Sequence, residues 1–192
     1  MPKQALIMID MQRGFLDSAS PLCIPSAEAT VPACAALIGR CHEAGVPVIY
    51  AVRHYRADGT DVEKPRAAVW ASGGKPLSED CAAHLSDAFP DAFTVLPQDY
   101  VLVKPRFSAF FHTSLDLILR RLGVQAVLLA GGYEAETPAA VVYKATWPEE
   151  KIFRCAVGTL HKTVTENGMK KTALIVVGSC LGGEYLRSLL YH

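Results

Sequence analysis

The chain has 192 residues, 51% of them hydrophobic and 20% charged, and it is long enough to bury a core of its own. Lysine and arginine together number 19, as do aspartate and glutamate, so the charge balance gives no case for a nucleic acid or an anionic membrane as partner. No apolar run reaches the roughly 20 residues that a membrane-spanning helix needs.

The six cysteines form no CxxC pair, and a chain of this length with so apolar a composition does not need a disulfide framework. The opening residues, MPKQALIMID, lack the apolar region and cleavage site of a signal peptide. We therefore expect a reduced, cytoplasmic setting.

The first two-thirds of the sequence alternates short apolar runs with amphipathic segments, which is typical of a parallel α/β sheet. A long glycine- and proline-containing excursion at 53–95 is predicted to be mostly loop, with the role of a lid or a site wall. Strands are predicted at 5–9, 46–52, 100–104 and 124–130, and helices at 27–44 and 113–122.

The last third has a different pattern. Two strands at 139–144 and 151–157 are joined by a turn at 147–150 with no helix between them, which predicts an antiparallel hairpin. A short helix at 159–167, a strand at 172–177 and a helix at 184–191 follow.

Charged residues stand at the carboxyl ends of three of the predicted strands. Because the carboxyl ends of parallel strands form the ligand crevice, Asp10, Arg53 and Lys104 are candidates for one site. A part-buried carboxylate there has a tunable pKa, and a neighbouring lysine holds an anion. The alternatives are a loop-capping Asp10 and a solvated Lys104. His54 is interpreted as a hydrogen-bonded structural histidine, since no other histidine has metal-ligand spacing with it.

Three segments within residues 1–131 resemble the isochorismatase-like (cysteine hydrolase) family in order and spacing: ALIMIDMQRGF, VIYAVRHYRADGTDVE and VLVKPRFSAFFHTSLDLILRRLGVQAVLLAG. The resemblance implies a Rossmann-like, three-layer α/β sandwich around a mainly parallel sheet, to which the C-terminal third adds an antiparallel hairpin. It implies Asp10 and Lys104 as catalytic residues and a small-molecule substrate, with no cofactor, no metal and a possible homo-oligomer. Phe15, Arg53 and Phe110 correspond to residues that line the pocket.

The family's third catalytic residue, a cysteine, falls about six residues after the glycine that ends the fourth strand. In this chain Thr137 stands there, and a threonine hydroxyl is a far weaker nucleophile than a thiolate. Cleavage of amides through a thioester should therefore be lost. The isochorismatase branch uses the aspartate as an acid toward a vinyl ether, a reaction that Asp10 and Lys104 could still serve. The sequence therefore predicts an isochorismatase-like hydrolase scaffold, for a small-molecule vinyl ether or amide, whose activity is impaired or lost because Thr137 replaces the cysteine. The alternative is a catalytically inactive chimeric or designed fold.

Residues 132–192 resemble a different family. GYEAETPAAVVYKATWPEEKIFRC and GTLHKTVTENGMKKTALIVVG are similar to the C-terminal part of cobalt-precorrin-4 methyltransferase, a tetrapyrrole methylase. The glycine-rich cofactor loop of that family is absent, so a remnant S-adenosylmethionine or tetrapyrrole site is only a third alternative. We expect a chimera joined near 131–132 that forms a single α/β domain over 1–192.

Overall fold

The computed structural model describes residues 3–132, 136–143, 148–169 and 173–177. The chain divides into two compact units, Met1–Gly132 and Tyr133–His192. That they form a single domain stays a prediction. The helix predicted at 184–191 lies outside the described residues.

The first unit contains a four-stranded sheet in which every pairing is parallel. The strands stand in the order β3-β2-β1-β4, and the two central ones, β1 and β2, are almost entirely buried. Burial on both faces explains why these two strands are continuous apolar runs in the sequence. The strands are β1 (Gln4–Ile9), β2 (Val48–Val52), β3 (Tyr100–Val103) and β4 (Ala126–Gly131).

Alternate side chains of β1 enter two different cores, because successive residues of a strand point to opposite faces of the sheet. Leu6 and Met8 share a cluster with Ile38 of helix α2, whereas Ile7 shares a cluster with Leu115 of helix α4. Helices thus cover both faces, and the predicted three-layer α/β sandwich is confirmed. The helices of this unit are α1 (Arg13–Leu16), α2 (Val31–Glu43), α3 (Ala67–Ser72) and α4 (Leu115–Arg121).

The excursion at 53–95 is mostly loop, as predicted, but it also contains the short helix α3. Trp70 of α3 is 3% exposed, and its indole N–H donates to the carbonyl of Pro76 over 2.8 Å. It packs with Phe15, Tyr55 and Leu77 in a third apolar cluster. The excursion therefore has a core of its own, which fixes the segment beside the strand ends.

The second unit contains a three-stranded sheet in the order β6-β5-β7, and both pairings are antiparallel. β5 (Pro138–Tyr143) and β6 (Lys151–Ala156) form the predicted hairpin, and β7 (Ala173–Val177) pairs with the other edge of β5. Helix α5 (Leu160–Glu166) follows β6. Within the described part of the chain, no helix has both the length and the hydropathy needed to cross a lipid bilayer.

Candidate active site

Asp10 and Lys104 lie at the carboxyl edge of the parallel sheet. Asp10 directly follows β1 and donates its backbone N–H to the carbonyl of Ala51, 3.0 Å away. Lys104 directly follows β3 and donates its N–H to the carbonyl of Val52, 2.9 Å away. Because β2 stands between β1 and β3, both residues are held by hydrogen bonds to the same strand.

The side chains of this pair form an ion pair, with Lys104 Nζ 2.9 Å from Asp10 Oδ2. Lys104 is 2% exposed, so its ammonium is screened only weakly by water. The second carboxylate oxygen, Asp10 Oδ1, is buried and has no hydrogen-bond partner among the described residues. An unsatisfied buried oxygen is costly and needs an explanation, and a catalytic role is one such explanation.

The backbone of Asp10 is also unusual. Its φ of +54° lies in the left-handed region, which residues other than glycine seldom adopt. Aspartate tolerates this region better than most residues, yet the conformation still stores strain. The strained turn after β1 therefore lies at the residue that carries the carboxyl group of the candidate site.

Burial raises the pKa of Asp10 above its ordinary value of 3.8. The charges of Lys104, Arg53 and Arg66 act in the opposite direction, and they do not cancel the effect of burial. A carboxyl group with a raised pKa keeps its proton more readily, which is the property that a general acid needs.

Arg53 follows β2 and is 3% exposed, so it is part of the interior. Its Nη1 donates to the carbonyl of Lys104 over 2.7 Å, its Nη2 pairs with Glu63, and its guanidinium lies 4.6 Å from the ring centroid of Tyr55. These contacts occupy the guanidinium and connect the ends of β2 and β3.

Gln12 is a member of this network that was not singled out in the sequence. It is completely buried, its Oε1 accepts the Arg53 N–H, and its Nε2 donates to the Arg53 carbonyl, both over 2.7 Å. The same Nε2 donates to the carbonyl of Asp87 over 2.9 Å. Gln12 lies within the segment ALIMIDMQRGF and Glu63 within VIYAVRHYRADGTDVE, two of the segments that resemble the isochorismatase-like family. Their position in these segments was the sign in the sequence by which they could have been found.

The remaining candidates have different surroundings. Phe15 is buried in the cluster around Trp70, whereas Phe110 is 50% exposed on the loop after β3. Their roles in lining a substrate pocket stay predictions. His54 Nδ1 lies 2.8 Å from Asp87 Oδ2, a contact that agrees with its interpretation as a hydrogen-bonded residue.

Thr137 lies in the second unit, immediately before β5. Its carbonyl accepts the N–H of Val157 over 2.9 Å, so its backbone extends the pairing of the hairpin. Among residues 3–132, 136–143, 148–169 and 173–177, no group of three His, Cys, Asp or Glu side chains is placed to hold a metal ion.

The first two-thirds of the chain is similar to known proteins. The family model described as the isochorismatase domain matches residues 4–137. The chain belongs to the isochorismatase family. An isochorismatase family protein of Desulfovibrio vulgaris has a similar crystal structure, with 37% identity, a TM-score of 0.61, and coverage of 68% of this chain and 67% of that one. A curated relative of this chain is the "Probable inactive nicotinamidase" of Arabidopsis thaliana, which is 31% identical over 139 residues. The match covers 71% of this chain and 68% of the relative.

A second resemblance of this isochorismatase family chain is to a methyltransferase. Over 58 residues, this chain is 50% identical to the cobalt-precorrin-4 C(11)-methyltransferase of Methanocaldococcus jannaschii. The match covers 30% of this chain and 22% of that enzyme. Both predicted resemblances are therefore confirmed. The chain spans about a fifth of the length of the methyltransferase and about two thirds of the length of the Arabidopsis relative.

Proposed function

We propose that Asp10 and Lys104 catalyse the hydrolysis of a vinyl ether in a small molecule, with Asp10 as the general acid. One observation supports this most strongly: Asp10 presents a buried oxygen that nothing among the described residues satisfies, while its other oxygen is held by Lys104. A proton on the free oxygen would have no competing acceptor there. The raised pKa of Asp10 supports the same role.

The reaction follows from ordinary vinyl ether chemistry. The terminal alkene carbon takes the Asp10 proton with the π electrons, and the ether oxygen stabilises the cation on the adjacent carbon. Water adds to that carbon and returns a proton to the carboxylate, and the hemiketal collapses to a ketone and an alcohol. Lys104, 2.9 Å from Asp10 Oδ2, stabilises the carboxylate that exists between the two proton transfers.

The same proposal excludes thioester chemistry. Thr137 occupies the sequence position at which the family has its cysteine, and a hydroxyl needs a strong base before it attacks an amide. We therefore infer that this chain does not hydrolyse amides through a covalent intermediate. This loss, the origin of the chain as a chimera and the formation of a homo-oligomer are parts of the proposal that need their own tests.

A second candidate function is a folded scaffold without turnover. The name of the Arabidopsis relative, "Probable inactive nicotinamidase", favours this alternative, since it describes a similar chain of the same family as a probable inactive enzyme. Under this alternative Asp10 and Lys104 stabilise the strand ends only. The two functions differ in one measurable property: the enzyme shows turnover that depends on Asp10, and the scaffold shows no turnover.

The experiment uses the full chain with isochorismate, whose hydrolysis releases a keto acid, and with a simple amide. We expect isochorismate to be consumed and Asp10→Asn to lower its rate by about 10²–10⁴-fold, the contribution typical of a general acid. Asp116→Asn, an exposed change on α4, is the matched control and should leave the rate unchanged. No turnover of either compound supports the scaffold, and amide cleavage that depends on Thr137 contradicts the proposal.

A further inference from the structure

The two edge strands of the parallel sheet differ in their sequence. β3 has four residues and lies between Pro97 and Pro105, and both its short length and its flanking prolines discourage pairing with another chain. β4 has six residues, AVLLAG, with no proline and no charged side chain. Yet among the described residues β4 pairs with β1 alone. β4 is therefore an edge strand with the composition of a buried central strand.

The apolar cores on both faces of the sheet end uncovered at β4. Leu128 lies beside Leu6 of β1, on the face that α2 covers. Leu129 lies beside Ile7, on the face that α4 covers. Leu6 and Ile7 are 0% and 2% exposed, whereas each of the two leucines of β4 is 38% exposed. A further strand beyond β4 would remove apolar surface from water on both faces, and this burial favours pairing.

The edge of β4 that faces away from β1, here called the free edge, is complementary to a second copy of itself. When two copies pair as antiparallel strands across a two-fold axis normal to the sheet, the α2 face of one copy continues into the α2 face of the other. The flanking charges favour the same direction, since exposed Arg121 precedes β4 and exposed Glu136 follows it. Antiparallel pairing brings the basic start of one strand towards the acidic end of the other.

We propose that the chain forms a two-fold dimer in which the free edges of β4 from two copies pair as antiparallel strands. The four-stranded sheets of the two copies then form one continuous sheet, and Leu128 and Leu129 are buried on its two faces. The dimer is a property of the β4 edge and does not rest on the proposed hydrolysis.

The test follows the mass of the full chain by sedimentation equilibrium over a range of concentrations. We expect a species of twice the mass of the chain, with association that is about tenfold or more weaker in Leu128→Lys, because a charge on an edge strand opposes pairing. Leu129→Lys places the same charge on the opposite face and should have the same effect. Val101→Lys is the matched control, since Val101 is 53% exposed on the other edge strand and its replacement should leave association unchanged.

Backbone amide exchange of the wild-type chain locates the interface without any substitution. We expect the amide protons of residues 126–131 to exchange more slowly at concentrations at which the dimer forms than at concentrations at which the monomer prevails. The amide protons of residues 100–103, on the opposite edge, should exchange at the same rate in both conditions.

Three results overturn the proposal: a chain that stays monomeric at all concentrations, exchange at 126–131 that does not depend on concentration, or association that Val101→Lys weakens and the folded Leu128→Lys and Leu129→Lys variants do not. Circular dichroism and the unfolding midpoint of each variant show whether it is folded. A monomer that hydrolyses isochorismate rejects only the dimer. Conversely, a dimer formed through β4 that shows no turnover rejects only the proposed function.

Discussion

The Arg53 guanidinium donates to the carbonyl oxygen of Lys104 over 2.7 Å, so the residue after β2 holds the backbone of the residue after β3. Lys104 in turn donates its own N–H to Val52 on β2. The backbone of Lys104 is therefore held on both sides of its Cα atom by β2 and Arg53. From this restrained backbone the side chain of Lys104 places its Nζ 2.9 Å from Asp10 Oδ2.

Replacement of Arg53 by methionine should destabilise the fold, because it leaves the carboxylate of Glu63 buried without its cation. We expect the free energy of unfolding to fall by about 3–5 kcal/mol, as when one partner of a buried pair is removed. The measurement is urea denaturation, and Arg56→Met, on the surface, should leave the midpoint unchanged. The double variant with Glu63→Gln should lose less than the sum of its two single changes; additive losses would show that the pair is not coupled.

Replacement of Lys104 by methionine should raise the pKa of Asp10 further, because Lys104 is the largest of the influences that lower it. Carbon-13 NMR of the carboxyl group measures this pKa directly. Lys75→Met is the control, since Lys75 lies by Asp80 on the surface. A pKa of Asp10 that falls or stays the same in Lys104→Met would contradict the described electrostatics.

The raised pKa of Asp10 also sets the sign of a pH effect on stability. A raised folded-state pKa contributes stability that is complete below the unfolded value of 3.8 and is lost as the pH rises through the folded value. The unfolding free energy of the wild type should therefore decrease relative to that of Asp10→Asn over this window. Urea midpoints of both proteins over a pH series test this, and a relative increase would have the wrong sign.

Two glycines should respond in opposite ways to alanine. A Cβ on Gly14 would lie 2.5 Å from the carbonyl oxygen of Leu85 and 2.7 Å from a methyl of Leu77, so Gly14→Ala should cost about 1–3 kcal/mol by overpacking. A Cβ on Gly39, within α2, would meet nothing within 4 Å, so Gly39→Ala should stabilise the protein by about 0.5–1 kcal/mol. Thermal unfolding of the two variants gives both values. Equal effects would mean that the packing around Gly14 is loose.

The C-terminal third of the chain, residues 132–192, should not bind S-adenosylmethionine. The resemblance to cobalt-precorrin-4 methyltransferase covers 22% of that enzyme, and a pocket must bury most of its ligand to bind it tightly. Calorimetric titration of the full chain with S-adenosylmethionine should therefore give no heat of binding. A saturable heat of binding would instead support the third alternative from the sequence, a remnant S-adenosylmethionine site in residues 132–192.

Much of the fold could be predicted because its signals are local. The buried strands β1 and β2 appear as continuous apolar runs, and the hairpin appears as two apolar segments around a turn. The positions of Asp10 and Lys104 after their strands predicted that they would share an edge, and their ion pair agrees with it.

What the sequence could not show depends on distant contacts. α3 exists because Trp70 packs against residues such as Phe15 that lie far away in the chain, and no local periodicity reports that. The pocket role that the resemblance implies for Arg53 stays a prediction, but the sequence did not show that its guanidinium pairs with Glu63 or that its backbone is hydrogen-bonded to Gln12. A buried polar network is invisible to a hydropathy pattern, since its members are ordinary polar residues until the strands bring them together.

The most direct test of the central claim is the rate of isochorismate hydrolysis by the full chain, measured in parallel for the wild type and Asp10→Asn. The claim predicts turnover by the wild type that falls by about 10²–10⁴-fold in a folded Asp10→Asn variant. Wild-type turnover that is absent, or equal in the two proteins, would contradict the assignment of Asp10 as the general acid.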